Sequence, residues 1–405
     1  MNLIKLLIVF VIIVFVMGVL KKNIMYAVTA ASVGAILLYG MSPAEAGNAI
    51  WSATKSWQTI EALLVFYCIT FLQRMMEARK DLSNCQVALN GLFNNRRVNA
   101  SIVPFILGCL PAASTILICG PIVRDSVGDS LKNEEKAAVT AYFRHISELF
   151  LPTYTSIFIA IGLTQGQVSV SSFVIAMIPM ALALYASGWL VYLRRVPRDT
   201  GMKSEEPKSN YVKLLFKSIW AILLAIALIL IFNMNVEIAV LICIVIDFFV
   251  NRFKFKEIVP FFKTAFEGKL MASTYLVMVF KEILSSTGVI SELPDYFAKL
   301  PIPEFLIFAL IFFFGSIIAG NQAMNVLCIP MMMATLGGAS ALPMFILIMS
   351  MGYAAMQISP IHICLTLCSE DFKIPLGSLV ARVLPMVGVF VLLSFAYYGL
   401  LTFIC

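Results

Sequence analysis

Apolar runs long enough to cross a bilayer alternate with short polar connections along most of this chain. A helix needs about 20 apolar residues to span the hydrocarbon core, and the pattern predicts ten such spans. Eight are continuous, near residues 2–20, 24–40, 60–77, 168–193, 212–232, 236–250, 271–284 and 376–404, and two are interrupted, near 137–163 and 341–368. Two amphipathic pieces, Pro43 to Gln58 and Lys254 to Lys269, fit a membrane interface, and Trp51 and Trp57 suit that position.

Two further apolar stretches are too punctuated for straight helices. Residues 100–127 carry Pro104, Gly108, Pro111, Ser114-Thr115 and Gly120-Pro121, and residues 305–336 carry Gly320-Asn321-Gln322 and Pro330. Backbone that leaves the helix in hydrocarbon survives only where protein or a wet cavity satisfies it. Each stretch therefore predicts a re-entrant hairpin, turning near Leu110–Thr115 and near Gly320-Asn321-Gln322. The interrupted spans break at Pro152 and Pro360, because proline lacks an N–H and clashes with the carbonyl four residues back. Around Pro360 the chain reads Gly352-Tyr353-Ala354-Ala355-Met356-Gln357-Ile358-Ser359-Pro360-Ile361-His362, an unusually polar stretch for the middle of a span.

Hairpin and break recur in the same order. Gly108 through Pro121 corresponds to Gly315 through Pro330, and Leu151-Pro152-Thr153-Tyr154 to Ser359-Pro360-Ile361-His362; the two prolines are 208 residues apart. The chain reads as a first repeat over 1–200 (hairpin 100–127, broken span 137–163), a cytoplasmic linker over 201–211, and a second repeat over 212–405 (hairpin 305–336, broken span 341–368). Five crossings per repeat is an odd number, so the second repeat is inverted, an arrangement common among secondary transporters. With the N-terminus outside, Lys21-Lys22, Arg74 to Arg97, Lys132 to Arg144, Arg194 to Lys217, Arg252 to Lys269 and Lys373 all lie in the cytoplasm. Lys5, Lys55 and Lys299 lie outside, and Lys281 within a span. The positive-inside rule thus places both termini outside the cytoplasm.

Composition agrees with this picture. Of 405 residues, 61% are hydrophobic and 13% charged, against about a quarter charged in soluble domains. The longest polar stretch, Arg194 to Lys217, is too short to build a core. The expected class is an all-α polytopic protein of the plasma or inner membrane, its first span retained. The net charge of +7 comes from residues flanking spans, a topology signal that does not point to nucleic acid. The nine cysteines mostly lie inside apolar runs and read as small apolar side chains. Cys364 and Cys368, one turn apart, read as helix packing rather than a metal pair.

The chemistry-bearing residues gather at the tips and breaks. Helix starts present unpaired N–H groups with partial positive charge, which suit an anion. Ser114, Thr115, Thr153 and Thr155 in the first half, and Asn321, Gln322, Gln357, Ser359 and His362 in the second, are the expected solute-binding residues, with Ser156 and Asn325 beside them. The alternative for each is ordinary helix–helix hydrogen bonding. His145 and His362 are the only histidines. His145 shares a helix with Arg144 and Glu148; Glu148 with His145 is the candidate ion-coupling pair, and a structural Arg144–Glu148 pair is the alternative. Glu61, Asp247 and Glu282 are weaker candidates. No P-loop, H-E-x-x-H or G-x-S-x-G motif occurs, so no enzyme, cofactor or ATP-driven pump is expected.

The twofold order of span, hairpin, Pro-broken span and final span resembles the ion transporter superfamily, which includes gluconate permeases, divalent-anion symporters and citrate carriers. Within it the chain looks most like a family of predicted permeases without an assigned substrate. The resemblance rests on Gly108–Pro121 with Leu151–Thr155 and Gly315–Pro330 with Gln357–His362. Sodium-coupled dicarboxylate members carry Ser-Asn-Thr at both tips; here the tips read Ala113-Ser114-Thr115 and Gly320-Asn321-Gln322. The resemblance implies elevator-type movement and a homodimer. The expected function is secondary transport of a small, anionic solute such as an organic acid, coupled to H⁺ or Na⁺. The rivals are a cation/proton antiporter of related architecture, a channel or a non-transporting membrane component.

Overall fold

The computed structural model describes residues 2–20, 22, 24–93, 95–109, 115–152, 154–198, 207–232, 234–289, 292, 301–359 and 362–404. These residues are 84% helical and contain no strand. In chain order the α-helices are α1 (Asn2–Val14), α2 (Ile24–Tyr39), α3 (Pro43–Lys55), α4 (Trp57–Ala78), α5 (Asp81–Leu92), α6 (Arg96–Gly108), α7 (Thr115–Val127), α8 (Asn133–His145), α9 (Thr155–Leu163) and α10 (Val170–Val191). There follow α11 (Lys208–Phe232), α12 (Val236–Val250), α13 (Phe255–Thr264), α14 (Gly268–Ser286), α15 (Glu304–Ala319), α16 (Asn321–Thr335), α17 (Ala341–Met356), α18 (Ile363–Asp371) and α19 (Leu376–Ile404).

Among the described residues, four helices are long and apolar enough to cross a membrane: Trp57–Ala78, Val170–Arg195, Lys208–Phe232 and Leu376–Ile404. Shorter apolar helices accompany them at Ile4–Ile13, Met25–Tyr39, Glu304–Ile318 and Ala341–Met356. Their outward faces carry exposed Leu37, Leu182, Ile231 and Leu392. Water would not tolerate so much apolar surface. The fold fits a membrane protein. The amphipathic piece near 254–269 forms α13, which exposes Phe255, Val259 and Phe262. Arg79 ties it to α4 by pairing with Glu257 at 3.3 Å while lying over the Phe253 ring. The piece at 43–58 forms α3, started by Ser42. The Ser42 backbone N–H donates to Glu45 at 2.7 Å and its hydroxyl accepts from the Glu45 N–H. This capping holds the Glu45 carboxyl below its usual range.

Both interrupted spans are interrupted. In the first, α8 tightens into a 3₁₀ turn at Ile146–Leu149, and α9 starts only at Thr155. In the second, α17 stops at Met356 and α18 starts at Ile363. The punctuated stretches each give two packed helices, α6 with α7 and α15 with α16. The expected turn near Leu110–Thr115 falls mostly on residues 110–114, outside the described residues. The second turn sits at Gly320, with φ +83° and ψ 155°. Three prolines lie away from these turns. Pro104, Pro121 and Pro330 lie inside α6, α7 and α16 rather than ending them. Packed neighbours can satisfy the backbone groups a proline frees, and Pro104 and Pro330 are buried against such neighbours.

The largest apolar core joins α7, α8, α9 and α10 to α15 through α19, with α1 and α2 alongside. A second core joins α4, α11 and α12. α10 and α19, the final span of each half, pack on one another, and α8 packs on both. The broken spans are therefore enclosed by helices on several sides.

Only glycine readily occupies the backbone region found at Gly320. Gly320→Ala should lower stability by about 1–3 kcal/mol, read as a lower thermal midpoint in detergent. An unchanged midpoint would show that the α15–α16 turn does not depend on this conformation.

Candidate functional site

The two breaks meet. His145 closes α8 and is fully buried; His362 directly precedes α18 and is half-buried. Their Nε2 atoms are 2.9 Å apart, and the rings are tilted by 60°. His145 Nδ1 lies 2.5 Å from the Ala141 carbonyl. A carbonyl can only accept, so Nδ1 carries a proton and donates it there. In the neutral ring this leaves Nε2 as a bare lone pair aimed at His362. Cys364, in the first turn of α18, completes the group: its Sγ and one nitrogen of each histidine all lie within 4.8 Å of one another.

Next to the histidines, Arg144 pairs with Glu148 one turn on, across the start of the 3₁₀ turn. Arg144 is 1% exposed, and its Nε donates to Thr115 Oγ1 at 3.1 Å. Thr115 is the first residue of α7, so the first helix pair is fastened to the break by a charge-assisted bond. Tyr154, just past the break, donates its hydroxyl proton to the Gly108 carbonyl at the end of α6. Ser147 donates to the Arg144 carbonyl at 3.0 Å.

The second helix pair meets the other side of the site. Asn325, in the first turns of α16, donates to the Ser156 carbonyl at the start of α9 over 2.9 Å. Ser359 donates to the Ile317 carbonyl near the end of α15 over 2.8 Å. Asn321 lies against the backbone of α17 at Gly352, where any Cβ would collide with its amide. Several amide atoms here are buried yet lack a hydrogen-bond partner of normal geometry among the described residues: Asn321 Oδ1, Gln322 Nε2, Asn325 Oδ1 and both amide atoms of Gln357. Such atoms are rare in folded proteins and call for a ligand, water or ion.

The structure thus brings together Thr115, His145, Glu148 and His362 as one group, with Asn321, Gln322, Gln357 and Ser359 along the second helix pair and break. Ser114 and Thr153 lie outside the described residues, and of Thr155 the backbone start of α9 is what is described. Arg144 takes a larger part than its sequence position suggested. Cys364 sits with the histidines, whereas Cys368 turns away and donates to the Ala137 carbonyl at 3.4 Å. Neither role has a sequence signal, since His145 and His362 are 217 residues apart and their meeting is tertiary.

A family profile described as "Protein of unknown function (DUF401)" matches residues 2–401. The chain belongs to this family. No curated protein matches the sequence. The match runs through both breaks and both helix pairs, so every residue of this site lies within the DUF401 region.

A buried ion pair broken on one side leaves an unpaired charge, at a cost of about 3–5 kcal/mol. In this DUF401 chain, Glu148→Leu should be strongly destabilising, and Arg144→Leu/Glu148→Leu much less so than the two single changes added. Unfolding in detergent across the four-member cycle checks this. Additive effects would remove the pair as what holds the 3₁₀ turn.

Proposed function

We propose that this chain is a secondary transporter of a small anionic solute such as an organic acid, coupled to H⁺ or Na⁺. The observation that carries the reading is the meeting of two broken helices beside buried amide atoms that lack partners. In a membrane bundle a break leaves polar backbone at the depth where a solute must pass. Helix starts reach the site from α7 at Thr115, α9 beside Asn325, α16 at Asn321 and α18 at Ile363. Their partial positive charge favours an anion. The unpartnered amides supply hydrogen bonds for a carboxylate or hydroxyl.

On this reading α6–α7 and α15–α16 are re-entrant hairpins in two inverted repeats, and the architecture is that of the ion transporter superfamily. The core shared by the broken spans with α10 and α19 is the moving body, and α4, α11 and α12 belong to the scaffold, where a homodimer would form. Charge placement puts both termini outside the cytoplasm. The cation/proton antiporter reading needs a carboxylate free to exchange ions. Glu148 is committed to Arg144, which favours the anion.

The first test is thermal unfolding in detergent against a panel of organic and inorganic anions, in matched Na⁺ and choline buffers at two pH values. A bound solute raises the midpoint by mass action. One carboxylate class should do so, and the Na⁺ or pH dependence identifies the coupling ion. Asn321→Ala and Gln357→Ala should each weaken that shift, by about 1–2 kcal/mol or roughly tenfold in affinity, and should slow saturable uptake into vesicles. A midpoint that responds to Na⁺ or pH but to no anion would replace this reading with the antiporter.

A further inference from the structure

We infer that His145 Nε2, His362 Nε2 and Cys364 Sγ form a binding site for a single borderline-soft transition-metal ion, with Zn²⁺ as its natural probe. The donor set is two imidazoles and one thiolate. Imidazole suits Zn²⁺, Cu²⁺ and Ni²⁺, and a thiolate biases the choice toward Zn²⁺ and Cu⁺ while disfavouring Mg²⁺ and Ca²⁺. Three protein ligands leave one of four tetrahedral positions open, a pattern of exchangeable rather than closed zinc sites.

The geometry is near that of a loaded site. With bonds of about 2.0–2.1 Å to nitrogen and about 2.3 Å to sulfur, tetrahedral ligand atoms lie roughly 3.3–3.6 Å apart. Here the nitrogens are 2.9 Å apart and all three donor atoms fall within 4.8 Å. Small side-chain rotations therefore admit the ion. One ligand is already oriented: the bond from His145 Nδ1–H to the Ala141 carbonyl holds the bare Nε2 toward the site, the usual outer support of a metal-bound histidine. His362 and Glu148 are partly buried, and Cys364 and His145 are buried. On binding, the His362 proton moves from Nε2 to Nδ1, the thiol proton leaves for water, and no electron is transferred.

The ligands come from different breaks: His145 from the end of α8, and His362 with Cys364 from the start of α18. An ion held there clamps the two broken spans together. This needs no assumption about the solute, and it is read by binding alone, so it can fail while the transporter reading stands.

The experiment is Zn²⁺ titration of the purified full chain in detergent, in competition with a chromophoric chelator, alongside Co²⁺ titration followed by absorbance. About one ion per chain is expected to bind, with Co²⁺ showing intense tetrahedral bands and a thiolate charge-transfer band. Cys364→Ser should remove the charge-transfer band, and His362→Ala should weaken Zn²⁺ binding by at least about a hundredfold. Cys368→Ser should change neither. Zn²⁺ should also raise the unfolding midpoint of the wild type but not of Cys364→Ser, which separates ligand loss from misfolding. Unchanged Zn²⁺ affinity in His362→Ala, or a charge-transfer band that survives Cys364→Ser, would overturn the site.

Discussion

A helix that stops in apolar surroundings leaves carbonyls at one end and N–H groups at the other with nothing to bond, and everything at the centre of this fold follows from how those groups are met. The first break keeps part of its own ladder: the Leu151 N–H donates to the Ser147 carbonyl and the Tyr154 N–H to the Leu151 carbonyl, each at 3.1 Å. The second does likewise, from Ile358 to Ala355 and from His362 to Ser359. Each break also gives a side chain to the helix pair of its own half. Tyr154 reaches the Gly108 carbonyl at the end of α6, and Ser359 reaches the Ile317 carbonyl near the end of α15. The same need is met twice in the same way, which explains why breaks and helix pairs occur together. A lone broken span would have no neighbouring carbonyl to accept these hydroxyl bonds.

Those elements were legible in the sequence to different degrees. Pro152 and Pro360 mark both breaks because proline cannot continue the ladder, and Gly320 marks a turn because its φ is positive. The amphipathic pattern near 254–269 locates α13. Pro104, Pro121 and Pro330 were misleading as punctuation, since packing decides whether a proline ends a helix, and packing is not local. The site was legible in part. Polar residues inside apolar runs drew notice to Thr115, His145, Glu148, Asn321, Gln357 and His362. That Arg144 reaches Thr115, and that Cys364 rather than Cys368 faces the histidines, depends on how α7 and α18 rotate against α8. No one-dimensional pattern encodes that rotation.

The charges are arranged with the same economy. A guanidinium is always charged, so Arg144 can be enclosed only beside a partner, and Glu148 one turn away supplies it. The two histidines lie beside this pair, their Nε2 atoms 2.9 Å apart. The unpartnered amides lie along α16 and at the end of α17, so hydrogen-bonding capacity and ionic capacity occupy different sides of one site.

The other end of α18 shows where movement would be concentrated. Asp371 accepts from Arg124 of α7 at 2.8 Å, and the Arg124 guanidinium also lies over the Phe372 ring. Asn133, at the start of α8, donates to the Phe372 carbonyl at 2.7 Å. α18 is therefore fastened at its C-terminal end to the same two helices, α7 and α8, that carry Thr115 and His145. Its N-terminal end follows α17 by way of residues 357–362. This nine-residue helix is held at both ends, by Asp371 and Phe372 at one and by the contact of His362 with His145 at the other. Displacing α17 relative to α7 and α8 would thus move Gln357 and Ser359 while His362 and Cys364 stay with His145. The amide side and the histidine side of the site are thus carried by different helices, α16 and α17 on one side and α8 and α18 on the other.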